Sequence, residues 1–248
     1  MRGESHRKTQ FISFSGIDGA GKSTQIAALR AQLEAMNLQV RVIAFWDEIA
    51  TLTGLREGAG HAIFGGDKGV GTPDAPVNRR DKNVRSWSMS CVRLGMYLLD
   101  AISLRRVAAR AARTTADVVI FDRYIYDELA NLSLSNPIQR MYARCMLRLA
   151  PKPLIGYLLD AEPVQARARK PEYPVEFLHT NRQSYLALSV LAQMTVIAPA
   201  PIEEAKHAVL RHALRKLSRE INRNAARRGQ LSDEPAKLDE PQTRPVAS

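Results

Sequence analysis

Two cysteines in 248 residues, Cys91 and Cys145, leave no basis for a disulfide framework, and neither sits at metal-ligand spacing. Both fall in helical-looking stretches and are expected to be buried thiols of a reducing compartment, which makes the cytoplasm the expected location. No apolar run approaches the roughly 20 residues of a membrane span. The basic stretch Met1–Gln10 is not followed by an apolar core with a small-residue cleavage site, so no secretory signal is expected. Negative charge is in short supply: 25 acidic residues face 36 Lys and Arg, a net charge of +11. That balance suits a polyanionic ligand, nucleotide or nucleic acid, and serves solubility equally well. Internal repeats are absent. With 45% hydrophobic residues, fibrous and wholly disordered classes are excluded, and the length allows one large α/β domain or two small ones.

What is present is one strong motif. Gly16-Ile-Asp-Gly-Ala-Gly-Lys-Ser-Thr24 fits G-x-x-x-x-G-K-[ST]. Phe11–Phe14 before it reads as a buried strand, and Gln25–Leu29 after it begins a helical pattern, the setting the motif requires. Glycines at 16, 19 and 21, with Ala20 between, let the backbone approach a phosphate chain. The helix that follows offers unpaired N–H groups and the positive end of its dipole. Lys22 can reach terminal phosphates, and the Ser23 hydroxyl, next to Thr24, can bind Mg²⁺. A chain of phosphates with Mg²⁺ is therefore the expected ligand.

Around the motif the chain alternates strands and helices. A helix over Ser23–Met36 precedes a strand at Val40–Phe45, and strand–helix–strand order predicts a parallel sheet. Gly54–Asn83 shows no sustained period and is too long for an ordinary connection. It has room for a short helix at Leu55–Phe64 and ends in the cations Arg79, Arg80, Lys82 and Arg85, which suit a solvated face or a phosphate-facing role equally. A long helix over Trp87–Arg113 leads to a strand at Asp117–Phe121. Helices near Asp127–Leu132 and Pro137–Leu149 precede a strand at Leu154–Leu159. A short helix at Pro163–Arg169, a turn through Pro171 and Pro174, a helix at Val175–Leu191, a strand at Thr195–Ile197 and a helix at Ile202–Ile221 complete the order. Residues 1–10 are expected as a flexible arm, 11–221 as the domain, and the polar, Pro-containing 222–248 as a disordered tail.

In open α/β sheets ligands lie beyond the carboxyl ends of the strands. Asp122 closes the apolar strand before it and is a candidate second Mg²⁺ ligand, the alternative being a helix cap. Arg123 beside it can hold a phosphate through two N–H groups. Asp47 or Glu48 could cap a helix or act as a ligand. Arg167, Arg169 and Lys170 form a cluster of cations able to stabilise charge on a transferred phosphoryl group, or a solvated helix face.

These residues resemble the thymidylate kinases, P-loop nucleoside monophosphate kinases. The similarity rests on Phe14–Gln25 with its inserted acid Asp18, on Val119–Tyr124, on Leu158–Pro163 with Arg169, on Arg182 and Tyr185, and on Val196–Pro199. It spans roughly Phe11 to Leu217. The resemblance implies an α/β P-loop NTPase fold: a five-stranded parallel sheet of order 2-3-1-4-5, helices on both faces and a short lid. It implies transfer of the ATP γ-phosphate to a nucleoside 5′-monophosphate, dTMP first. Lys22 and Ser23 would serve ATP and Mg²⁺, Asp122 would order the metal, and Pro199 would lie on the adenine side. Asp18, Arg123, Asp100, Arg105 and Tyr185 would face the acceptor. Gly19 stands where one branch carries a P-loop arginine, so the catalytic arginines are expected in the lid, at Arg169 or Arg167.

The departures cluster on the acceptor side. Phe45–Glu48 lacks the arginine the family has after strand two. Ala101 follows Asp100 where the resemblance implies a base-contacting arginine; restoring it is expected to raise turnover of dTMP unless Arg105 already fills that place. Asp127, Asn131 and Leu132 stand where Ser, Tyr or Phe, and Gln are implied. Kinases for other small acceptors, and an ATP-binding regulatory or nucleic-acid-associated protein, stay open as alternatives. Small nucleotides are the expected partners, homodimerisation stays open, and neither nucleic acid nor membrane is expected.

Overall fold

A computed structural model describes residues 8–50 and 87–227. The expected Gly54–Asn83 connection, its Leu55–Phe64 helix and the cations Arg79, Arg80, Lys82 and Arg85 lie outside the described residues. So do the first seven residues of the expected arm and the tail beyond Arg227.

Five strands, β1 (Gln10–Ser15), β2 (Val40–Ala44), β3 (Val118–Asp122), β4 (Ile155–Leu159) and β5 (Thr195–Ile197), form one sheet. Every pairing is parallel, and the order is β2-β3-β1-β4-β5, as the resemblance implies. The strands read as continuous apolar runs because both faces are covered. Ile12, Phe14, Val118, Ile120, Tyr157 and Leu159 point to one face, and Val119, Phe121 and Leu158 to the other. α1 (Lys22–Ala35) covers the first face with Ile26, Leu29 and Leu33. α7 (Ile202–Arg227) joins it through Val209, Ala213 and Leu217. The second face is covered by α2 (Trp87–Ala111), α3 (Ile125–Leu129), α4 (Pro137–Leu149) and α6 (Val175–Ala192). α5 (Pro163–Arg169) lies in the lid and contributes Ala166 to the same core.

Register places the site. Ala44, Asp122 and Phe14 are paired across β2, β3 and β1, and Ser15 lies beside Leu158 of β4. The carboxyl ends of four strands are thereby level, and the P-loop leaves from their centre. None of the helices among the described residues is long and apolar enough to cross a membrane.

Four local expectations change. After β2 the chain makes one π-helical turn, Phe45–Ile49, whose apolar residues Phe45 and Ile49 are buried. No side chain caps that turn, and Glu48 pairs instead with Arg41 at 2.8 Å. α3 starts at Ile125 rather than Asp127, because the Asp127 carboxylate accepts from the Tyr124 backbone N–H at 3.1 Å and fixes the first turn there. α7 runs past Ile221 to Arg227: its apolar stripe has ended, but Arg and Ala sustain the helix. Cys145, expected to be buried, is exposed on α4, whose buried contacts are made by Ala143 and Met146.

Candidate active site

The P-loop is built from backbone. Gly19 has φ +82°, and a Cβ there would sit 2.1 Å from the Ala166 carbonyl oxygen of α5. A side chain at this position would therefore push the lid away, which explains why glycine stands where an arginine is found in one branch of the resembling family. Gly16 has φ +144°, and a Cβ on it would meet the Leu159 carbonyl oxygen at 2.5 Å, which seats the loop against the end of β4. Gly21, also left-handed, caps α1 without a side-chain bond, and no acidic residue occupies the helix's first turn. The N-terminus of α1 thus offers unpaired donors and uncompensated positive dipole.

Lys22 is buried and folds back over the loop, donating to the carbonyls of Gly16 at 2.9 Å and Ile17 at 3.0 Å. Burial, and then the neighbouring Arg123, lower its pKa to about 8, while Asp127, Asp18 and Asp122 act in the opposite direction. Ser23 and Thr24 follow it at the exposed start of α1, and Ala20 packs between the two core clusters. Pro199 is exposed just past the end of β5.

Arg123 follows directly on β3. Its backbone is left-handed, φ 69°, and its N–H extends the sheet by donating to the Phe14 carbonyl at 3.0 Å. The guanidinium lies between two carboxylates: Nη2 donates to Asp18 of the P-loop, and Nη1 donates to Asp127 of α3 at 3.1 Å. Burial opposes its charge, but Asp127 and Asp18 outweigh that and hold it protonated. For Asp18 burial works to raise the pKa, yet Arg123, Lys22 and Lys170 carry it below the ordinary carboxylate range. Asp122 moves the other way: burial lifts its pKa, against the pull of Lys22 and Arg123. The cap of α3 falls at Tyr124, so Asp122 does not fill that role.

The lid closes the site from the β4 side. Arg169 donates to the Gly19 carbonyl at 2.9 Å, and Lys170 stands 3.9 Å from Asp18 and 3.1 Å from Glu172. Arg167 lies half-buried on the same short helix. The lid's base is tied down by Arg182 of α6, which binds Asp160 through two bonds of 2.7 and 2.9 Å and Glu162 through one of 2.7 Å.

Lys22, Asp18, Asp122, Arg123 and Arg169 are therefore brought to one place. The other three expected acceptor residues lie deeper or farther along their helices. Asp100 is fully buried on α2. Arg105 reaches the Leu149 carbonyl at 3.3 Å, at the end of α4. Tyr185 is buried, and its hydroxyl donates to Asp127 at 2.8 Å. Ala101 has no exposed surface and belongs to the core beside Leu104 and Leu129. At this enclosed position an arginine would place a charge inside the core, which weighs against the expected gain in dTMP turnover. Sequence reasoning undervalued Asp127, treated only as a departure, and Ser15, whose hydroxyl donates to Asp127 at 2.6 Å. The signal was an acidic residue three positions after Tyr124, the spacing by which a side chain reaches back to the backbone N–H at the start of a helix.

Sheet order, P-loop and lid together define an α/β kinase fold of the P-loop class. Known proteins narrow this. Over 205 residues the chain is 27% identical to a probable thymidylate kinase of Archaeoglobus fulgidus, covering 80% of this chain and 91% of that protein. Over 222 residues it is 28% identical to thymidylate kinases of two Bifidobacterium longum strains, covering 84% of this chain and 98% of each relative. No family model matches. These similarities support a thymidylate kinase family relationship.

Proposed function

We infer that the protein transfers the γ-phosphate of ATP to a nucleoside 5′-monophosphate, with dTMP as the first acceptor. The observation that carries this reading is the meeting of two cations from different elements, Lys22 of the P-loop and Arg123 after β3, at the level ends of the strands. The P-loop N–H groups and Lys22 bind the donor's phosphates, and Arg123 takes the acceptor phosphate. Two phosphates so held face one another, and catalysis follows from positioning and charge stabilisation without a covalent intermediate. Arg169, with Arg167 as the second lid arginine, stabilises charge on the phosphoryl group in flight. Pro199 borders the adenine side.

The oxygen donors fit Mg²⁺. Among the described residues no cluster of three His, Cys, Asp or Glu could cage a metal. Ser23 and Asp122 are a hydroxyl and a carboxylate, the sparse hard-oxygen set that leaves Mg²⁺ its waters and substrate phosphates. When bound, the ion would neutralise charge on those phosphates.

The test is ATP consumption, with product identified by chromatography, against dTMP, dUMP, dCMP, the ribonucleoside monophosphates and the free nucleosides. The expected result is dTDP formed from dTMP. ATP binding without phosphorylation of any monophosphate would overturn the reading.

A further inference from the structure

We propose that Asp127 is a positioning residue, the permanent half of a two-carboxylate grip on Arg123, and that Asp18 is the exchangeable half, displaced when an acceptor phosphate arrives. The proposal rests on the reading that Arg123 receives that phosphate.

The two carboxylates differ in every respect that bears on exchange. Asp127 exposes 2% of its side chain and Asp18 exposes 19%. A carboxylate has about four acceptor sites, and Asp127 has a donor on each. Oδ1 takes Arg123 Nη1 at 3.1 Å and the Tyr185 hydroxyl at 2.8 Å. Oδ2 takes the Ser15 hydroxyl at 2.6 Å and the Tyr124 backbone N–H at 3.1 Å. Those donors come from β1, from the turn after β3, from the start of α3 and from α6, so Asp127 cannot rotate without breaking bonds to several elements at once. Asp18 sits on the loop, and among the described residues its cationic neighbours besides Arg123 include Lys22 at 4.0 Å and Lys170 at 3.9 Å.

A phosphate, like a carboxylate, only accepts at this guanidinium. A phosphate that takes Nη2 competes with Asp18, the more exposed of the two acids, and Asp18 yields. Nη1 stays on Asp127, so the guanidinium keeps its aim while Nη2 changes partner. Freed Asp18 remains beside Lys22 and Lys170 and close to the incoming nucleotide. The left-handed backbone of Arg123 is uncommon for a residue with a Cβ, and the bond to Asp127 fixes the side chain that leaves from it.

The experiment is a double-mutant cycle on the full chain: wild type, Asp127→Asn, Arg123→Gln and the double variant. Each is measured for dTMP affinity and for affinity of a non-hydrolysable ATP analogue by calorimetry, for kcat, and for Tm. Asp127→Asn is expected to weaken dTMP binding about tenfold or more while ATP-analogue affinity changes less than about threefold. In the Arg123→Gln background the same change is expected to add less than about twofold, because Asp127 acts through Arg123. Equal losses for both ligands, or full additivity in the double variant, would overturn the proposal. Should Asp127→Asn not fold, Tyr185→Phe and Ser15→Ala each remove one donor and keep the charge. Both are then expected to weaken dTMP binding selectively, and unchanged dTMP affinity in both would overturn it. A wild type that phosphorylates no monophosphate defeats the functional reading itself; one that phosphorylates dTMP, and does so equally well as Asp127→Asn, defeats only this proposal.

Discussion

The proposed donor and acceptor halves of the site are made of different material. The donor half is backbone: glycines in left-handed conformations, carbonyls facing Lys22, and the bare N-terminus of α1. The acceptor half is side chains: Arg123 held between Asp18 and Asp127, with Ser15 and Tyr185 behind. Backbone sites tolerate almost no change because their geometry is set by φ and by the absence of Cβ. Side-chain sites can be rebuilt from other residues, and here a buried carboxylate at Asp127 has replaced the serine that the resemblance implies.

The largest effect should come from the donor half. Lys22→Ala removes the side chain proposed to reach the terminal phosphates, and kcat/KM for ATP should fall by about three orders of magnitude with Tm little changed. Steady-state kinetics beside a thermal melt checks this, and a folded variant with ordinary turnover would break the account of the donor side. Arg169→Ala should come next. If its cation stabilises the phosphoryl group in flight, kcat falls by roughly 100-fold while ATP-analogue affinity shifts less than about threefold. Parallel losses would make Arg169 a clamp on Gly19 and nothing more.

Ala101→Arg sharpens the comparison from the acceptor side. An arginine at a fully enclosed core position should cost about 3 kcal/mol or more, lowering Tm by roughly 6–12 °C. A variant that melts like the wild type and uses dTMP better would show that α2 can turn this position toward the acceptor.

The smallest effect is a pH dependence. Lys22 has its pKa lowered to about 8 by burial and by Arg123. Below that pH it is charged in the free enzyme; above it the proton is lost, and binding ATP must bring one back. kcat/KM for ATP should therefore fall by about tenfold per pH unit above pH 8, while kcat at saturating ATP falls less. Asp127, Asp18 and Asp122 all favour the charged lysine. Asp127→Asn removes one of them and should move the limb to lower pH. A profile flat to pH 10 would mean that Lys22 keeps its proton unaided.

This contrast also governs what could be read from the sequence. The P-loop was legible because its geometry demands particular residues at fixed spacing: glycine at 16 and 21, then Lys22 and Ser23. The sheet order followed from the resemblance, and the strands from apolar runs such as Val118–Phe121, where burial on both faces writes itself into composition. The partners of Arg123 were not legible in the same way. Asp127 and Tyr185 lie far apart in sequence and meet only when α6 packs over α3. Ala101 could be compared with an implied arginine, but its complete burial depends on how α2 rotates against the sheet, which periodicity fixes only loosely. The short π-helical turn after β2 had no signal beyond two apolar residues, Phe45 and Ile49.

The division between halves is tested most directly by measuring two affinities in one variant. Arg123→Gln keeps a hydrogen-bond donor and removes the charge. Titrated by calorimetry, it should bind dTMP at least about tenfold more weakly than wild type and bind a non-hydrolysable ATP analogue within about threefold. Unchanged dTMP affinity, or an equal loss for both ligands, would contradict the assignment of Arg123 to the acceptor phosphate.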